Sequence, residues 1–160
     1  MICSALDMPT LSEYESKQLL ARAGIPVPEE RLVATPEEAV SAAHEVGMPV
    51  VLKLCGAGIA HKTERNLVRL DLADEASIRK QAKDLLSQRQ ADEQDAGILV
   101  QPMVSGRREV IAGLVRDPQF GPCVMFGLGG VLAELLQDVA FAVAPLDDLD
   151  AGVGLSLIHI

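Results

Sequence analysis

Tryptophan is absent from this chain, tyrosine occurs once and phenylalanine three times, so aromatic residues make up only 2% of its 160 residues. Any core must therefore be aliphatic, drawn from the Val, Leu, Ile and Ala that dominate the 49% hydrophobic fraction. Positive charge is also scarce, with 14 Lys and Arg against 23 Asp and Glu for a net charge of −9. Nucleic acids and anionic membranes select a basic face that releases counterions, so neither is expected as a partner, although a local basic pocket stays open. The three cysteines, Cys3, Cys55 and Cys123, are odd in number and lack metal-ligand spacing, which reads as reduced intracellular thiols. There is no charged-then-apolar N-terminal signal, and no apolar run approaches the roughly 20 residues of a spanning helix, so a cytoplasmic protein is expected. Two phosphate-binding signatures are missing as well: G-x-x-x-x-G-K-[ST] does not occur, and Gly56-x-Gly58 is followed by His61 where a dinucleotide fingerprint wants Gly or Ala.

What is present is punctuated clearly, and the length suits one domain or part of a larger protein. Met1 to Thr10 shows no periodicity and reads as a linker. Ser12-x-x-Glu15 predicts a capping box opening a helix that Gly24 closes, with Leu19, Leu20 and Ala23 on its apolar side. A short strand, Arg31 to Ala34, precedes Thr35-Pro36-Glu37-Glu38, which supplies N-cap, N1 proline and capping glutamate to a second helix ending at Gly47. Leu67 to Leu72 alternates as a half-buried strand does, and Asp74 caps a third helix with Ile78, Ala82, Leu85 and Leu86 at helical spacing. Three strands come next, Ile98 to Gln101, Glu109 to Val115 and Pro122 to Gly127, giving an antiparallel second half with a hairpin loop at Asp117 to Pro122. After the turn Gly127 to Gly130 come Val131 to Asp138 and a last strand, Val139 to Ala144, stopped by Pro145. The apolar ending, residues 151–160, has no capping or turn chemistry and reads as a truncation scar or misread sequence.

The stretch Pro49 to Thr63 holds the residues best suited to chemistry. Pro49 to Leu54 is nearly all aliphatic, as in a strand buried on both faces, yet it carries Lys53. A buried ammonium needs an anion; the alternative is an edge lysine that snorkels to solvent. Gly56 and Gly58 allow backbone N–H groups to approach an anion, and Lys62 adds a second charge, so phosphate is the expected guest. Glu134 and Asp138, four apart on a helical pattern, could meet a metal or simply form a solvated face. Gln101, in Val-Gln-Pro, fits a binding strand or an edge kink, and Glu109 fits a ligand-reaching acid or a surface partner of Arg107 and Arg108. His44 reads as a surface residue.

In order, Val51-Leu52-Lys53-Leu54, Ala60-His61-Lys62-Thr63, Leu99 to Val104, Gly106 to Glu109, Arg116 to Gly130 and Glu134 to Asp138 resemble the ATP-grasp domain of NDP-forming acyl-CoA synthetases. That family includes ADP-forming acetate–CoA ligases and, more distantly, succinyl-CoA synthetase β subunits, and related domains are fused to protein acetyltransferases. The resemblance implies an α+β fold of two subdomains with ATP or ADP between them, spanning residues 11–150. It implies that Lys53 contacts the nucleotide phosphates, that Gln101 to Val104 form the hinge around adenine, and that Glu109 reaches the nucleotide. It implies that His61 relays a phosphoryl group to a phosphohistidine elsewhere, that Glu134 and Asp138 hold Mg²⁺, and that a CoA-binding domain or subunit is the partner. Where the family often has Gly-Gly-Val after the loop, this chain has Arg65-Asn66-Leu67. The family's further helical segment and acidic Asp/Asn-Pro stretch, which supply Mg²⁺ ligands, have no match after Pro145, so a truncated C-terminal part, inactive alone, is expected. Competing expectations are a non-catalytic nucleotide-binding module of an acetyltransferase fusion, and carboxylate–amine ligation, which the His61-Lys62 loop disfavours.

Overall fold

The structure is a computed structural model that describes residues 11–59, 62, 65–104, 106, 109–129 and 139–146. The chain divides after Val104 into two compact units.

In the first unit, four strands form one sheet: β1 (Arg31–Val33), β2 (Val50–Cys55), β3 (Val68–Leu72) and β4 (Gly97–Pro102), in the order β1-β4-β2-β3. Every neighbouring pair is antiparallel. Helices α2 (Pro36–Val46) and α3 (Glu75–Ser87) cover one face, because their apolar stripes Ala39, Val40, Ala43 and Ile78, Ala82, Leu85 meet Val50, Leu52, Leu54, Ile98 and Val100 of the central strands. Ile78, Leu85, Leu52 and Ile98 are fully buried, each such side chain stabilising the fold by about 2 kcal/mol relative to exposure. The capping signals are realised: the Thr35 side chain accepts from Glu38 N while the Glu38 side chain accepts from Thr35 N, and Gly47 ends the helix at φ 89°. Asp74 caps α3 by accepting from Ser77 N at 2.9 Å.

Three expectations are corrected here. Helix α1 (Glu13–Arg22) begins with the predicted Ser12–Glu15 capping box, but no residue in it is buried, and Leu19 and Leu20 are exposed. Charge attaches it instead, through Glu13 and Lys17. The alternation of β3 is interrupted: Asp71 adopts φ 56°, and one extra residue lies between the pairs Leu52↔Arg69 and Val50↔Leu72. This bulge reverses the facing of the strand residues on its C-terminal side. Leu67 and Leu72 therefore both reach the helix-covered core, whereas Leu70 is 59% exposed. Finally, β4 pairs with β2 and β1 in the first sheet, not with the later strands.

The second unit carries β5 (Val110–Asp117), β6 (Gly121–Leu128) and β7 (Val139–Val143) as an antiparallel sheet in that order. The predicted hairpin turn forms because Asp117 Oδ1 accepts from Gln119 N at 2.8 Å and Phe120 N at 2.9 Å, while Gly121 takes φ 79°. Those two backbone donors also hold the Asp117 carboxyl below its ordinary pKa. The predicted linker 1–10, the segment Val131 to Asp138 and the ending 151–160 lie outside the described residues. Among the described residues no helix is long and apolar enough to cross a membrane.

Candidate functional site

Side chains alternate along β2, so Val51 and Lys53 point away from the core that Val50, Leu52 and Leu54 fill. In register with them on β4 are Gln101, opposite Val51, and Leu99, opposite Lys53. This second face of the sheet is also covered: Val51 and Leu99 are buried, and Lys53 retains 24% side-chain exposure. The anion that Lys53 requires is Glu13 of α1, whose Oε1 accepts from Lys53 Nζ at 2.8 Å. Lys62 Nζ donates to the other oxygen, Oε2, and Lys17 Nζ donates to Oε1 at 2.8 Å. Lys17 reaches in turn to Glu30 Oε2 at 2.9 Å, and Glu30 Oε2 also accepts from Gln101 Nε2 at 2.8 Å. A continuous polar chain thus runs from Lys62 and Lys53 through Glu13, Lys17 and Glu30 to Gln101.

The electrostatics arise from this convergence. Burial alone would raise the Glu13 pKa, but hydrogen bonds from Lys17, Lys53 and Lys62 outweigh it and bring the group from 4.5 to about 2. Desolvation likewise opposes the charge on Lys17, yet its bonds to Glu13 and Glu30 leave its pKa raised. Beside the cluster lies an open cavity of about 500 Å³ lined by Glu13, Lys53, Lys62, Asn66, Val68 and Leu70. Its walls combine two ammonium groups with an apolar strip, an arrangement suited to an anionic ligand that has an organic part.

The loop between β2 and β3 is held by the protein's own carboxylates and by backbone hydrogen bonds. Arg65 grips the Glu93 carboxylate with both guanidinium arms, Nη2 to Oε2 at 2.9 Å, and the Glu93 side chain is only 7% exposed. Those bonds lower the Glu93 pKa from 4.5 to about 2. Leu67 N closes the loop onto Lys62 O at 2.7 Å. Gly56 has a packing reason to be glycine, since a Cβ there would stand 2.9 Å from Ala96 Cβ. Gly58 turns at φ 77°, and Ile59 N returns to Gly56 O.

Of the residues singled out in the sequence, Lys53 and Gln101 lie on one face of the first sheet, linked through Glu13, Lys17 and Glu30. Val104 lies beyond the end of β4 and is 69% exposed beside exposed Met103, whose N–H donates to Pro49 O at 2.9 Å. Glu109 belongs to the second unit, where it is exposed and its carbonyl accepts from Gly129 N at 2.8 Å. His61, Glu134 and Asp138 lie outside the described residues. Among the described residues no group of three His, Cys, Asp or Glu side chains could hold a metal. His44 is an exposed residue, 3.0 Å from Glu75 Oε1. Sequence reasoning misses Glu13, Lys17 and Glu30: the first two read as an ordinary i,i+4 helix pair, and nothing local distinguishes Glu30.

An α+β unit presenting paired lysines beside a cavity, together with a second unit built on an antiparallel sheet, suits a nucleotide-binding class of fold, and the chain belongs to the ATP-grasp domain family, which matches residues 4–159. It is 42% identical over 142 residues to the β subunit of acetate–CoA ligase (ADP-forming) II of Pyrococcus furiosus, covering 87% of this chain and 60% of that one. A structure of the dinucleotide-forming acetyl-coenzyme A synthetase 1 of Ca. Korarchaeum cryptofilum, in complex with coenzyme A, Ca-AMPCP and HgCl⁺, superposes with a TM-score of 0.85. Identity there is 42%, over 94% of this chain and 67% of that one. Another structure of that enzyme holds coenzyme A and Mg-AMPPCP, with a phosphohistidine segment pointing towards the nucleotide binding site. It matches with a TM-score of 0.77 and 41% identity over 92% of this chain and 63% of that one. The chain therefore spans about 60% of the length of the curated relative it matches.

Proposed function

We propose that this chain is the nucleotide-binding part of an ADP-forming acyl-CoA synthetase, an enzyme that interconverts acyl-CoA, ADP and phosphate with the free acid, CoA and ATP through a phosphohistidine. The observation that carries the reading is the pair Lys53 and Lys62, held at one carboxylate on the rim of the 500 Å³ cavity. Phosphoryl transfer asks a protein mainly for positioning and for positive charge where the phosphate oxygens lie, and two fixed ammonium groups supply both. Lys53 and Lys62 bind the polyphosphate in this reading. The end of β4, from Gln101 to the exposed Met103 and Val104, offers backbone groups and apolar surface to the adenine, and Glu109 is assigned as a further nucleotide contact. His61, adjacent in sequence to Lys62, serves as the relay between nucleotide and phosphohistidine. Neutral imidazole, with an ordinary pKa of about 6.5, is nucleophilic near pH 7, and a neighbouring ammonium favours that neutral form.

Mg²⁺ bound with the nucleotide would neutralise developing charge on the phosphoryl group, with Glu134 and Asp138 as its proposed ligands. The acyl and CoA sites are assigned to a further domain or subunit, in keeping with the share of its relatives' length that the chain spans. Buried free thiols at Cys55 and Cys123 suit a reducing, cytoplasmic location. Calorimetric titration of the intact protein with ATP tests the assignment. Lys53→Ala is expected to weaken binding at least about tenfold, equivalent to about 1.4 kcal/mol of charge-assisted contact. Equal affinity in wild type and variant would remove Lys53 from the site.

A further inference from the structure

We infer that Glu13 is a positioning residue for nucleotide binding: its carboxylate holds Lys53, from β2, and Lys62, from the loop after it, as one preorganised dication facing the polyphosphate. The inference rests on the nucleotide reading and adds to it a residue on an element outside the cavity's sheet. Two ammonium groups brought within reach of one phosphate chain repel each other, and both belong to long side chains that lose rotamer freedom when fixed. A shared carboxylate removes both obstacles before the ligand arrives, as Oε1 takes one ammonium and Oε2 the other. Each ammonium carries three N–H donors, of which Glu13 occupies one, so the carboxylate and a phosphate oxygen can be served together.

The placement of Glu13 is not a by-product of core formation. Helix α1 buries none of its own residues, and the Ser12–Glu15 capping box fixes Glu13 at the first helical position. One turn later Lys17 ties the same carboxylate to Glu30, and Glu30 to Gln101, so the phosphate end and the base end of the face share one network. Holding that network has a cost. Glu30 Oε1 is buried with no hydrogen-bond partner among the described residues. Cavity, lysine pair and network together point to a carboxylate kept in place for what the lysines do.

The test uses the intact protein and three probes, namely ATP, inorganic tripolyphosphate and adenosine, titrated calorimetrically into wild type, Glu13→Gln and Glu13→Asp. Glu13→Gln is expected to weaken ATP and tripolyphosphate by about the same factor, roughly tenfold or more, while adenosine changes less than about twofold. Glu13→Asp keeps the charge but is one methylene short of spanning both lysines, so its loss should fall between. If Glu13→Gln does not fold, Glu13→Asp decides: a phosphate-selective loss supports the inference and wild-type affinity overturns it. Unchanged or tighter ATP binding in Glu13→Gln also overturns it, tighter binding showing that Glu13 competes with phosphate. Parallel losses for adenosine and ATP would overturn it too, marking Glu13 as a general structural support. A wild type that binds neither ATP nor tripolyphosphate would instead refute the nucleotide reading itself.

Discussion

Removing the Glu13 charge should make the stability of the first unit nearly independent of one particular acid titration. Glu13 titrates at about 2 in the folded chain against an ordinary 4.5. Taken at face value that difference is worth about 3 kcal/mol, and screening of a side chain still 22% exposed reduces it to about 2 kcal/mol. The sign is set by the depression. A carboxylate whose folded pKa lies below its unfolded one contributes fully above about pH 4.5, and the contribution is lost as pH falls through the folded value near 2. Urea denaturation of wild type and Glu13→Gln across that range should therefore show wild type more stable by about 2 kcal/mol at neutral pH, with the gap closing below about pH 4.5. Other carboxylates titrate in both proteins and cancel in the difference. The only tyrosine, Tyr14, lies in α1 next to Glu13, and with no tryptophan present its fluorescence reports the helix while far-UV circular dichroism reports the whole chain. A gap that stays constant from neutral pH to pH 2, or no gap at neutral pH, would refute the three-lysine account of Glu13.

Arg65→Met should lower stability by about 1–3 kcal/mol in denaturant titrations, because it leaves the Glu93 carboxylate with the Gln90 N–H but without its cation, and adding Glu93→Met should recover most of that loss. Gly97→Ala should cost about 1–3 kcal/mol and selectively speed amide exchange in β1. An added Cβ would lie 2.6 Å from the Val33 carbonyl oxygen, a backbone atom that cannot move aside without disturbing the β1–β4 pairing.

Local chemistry made much of the first unit legible. Thr35-Pro36-Glu37-Glu38 and Ser12-x-x-Glu15 specify helix starts through bonds between near neighbours, and both capping boxes form. The stripe Ile78, Ala82, Leu85 specifies which side of α3 is buried, and all three residues are. Legibility fails where the deciding partner is distant. The alternation of Leu67 to Leu72 predicts one facing, but Asp71 enters the left-handed region and inserts a residue, a choice set by pairing with β2. The membership of β4 is likewise decided by strands found 40 and more residues earlier, not by the hairpin signals on its C-terminal side.

The candidate site shows the same division in sharper form. An aliphatic strand containing Lys53 correctly implies a need for an anion, since a half-buried ammonium without one is too costly, but the type and origin of that anion are not encoded nearby. It comes from 40 positions upstream, on a helix whose own pattern suggests an apolar contact at Leu19 and Leu20 that does not exist. Glu29 and Glu30 are neighbours of the same type with opposite fates: Glu29 retains 64% side-chain exposure beside Arg31, whereas Glu30 retains 2% and meets Lys17 and Gln101. No periodicity separates them, because β1 begins only at Arg31 and the facing of the preceding residues is set by where α1 docks. Helix α1 in turn docks through the charges whose placement is in question. Helix, lysines and carboxylates therefore specify one another, so this part of the protein is legible only once the sheet has brought β2 and β4 together.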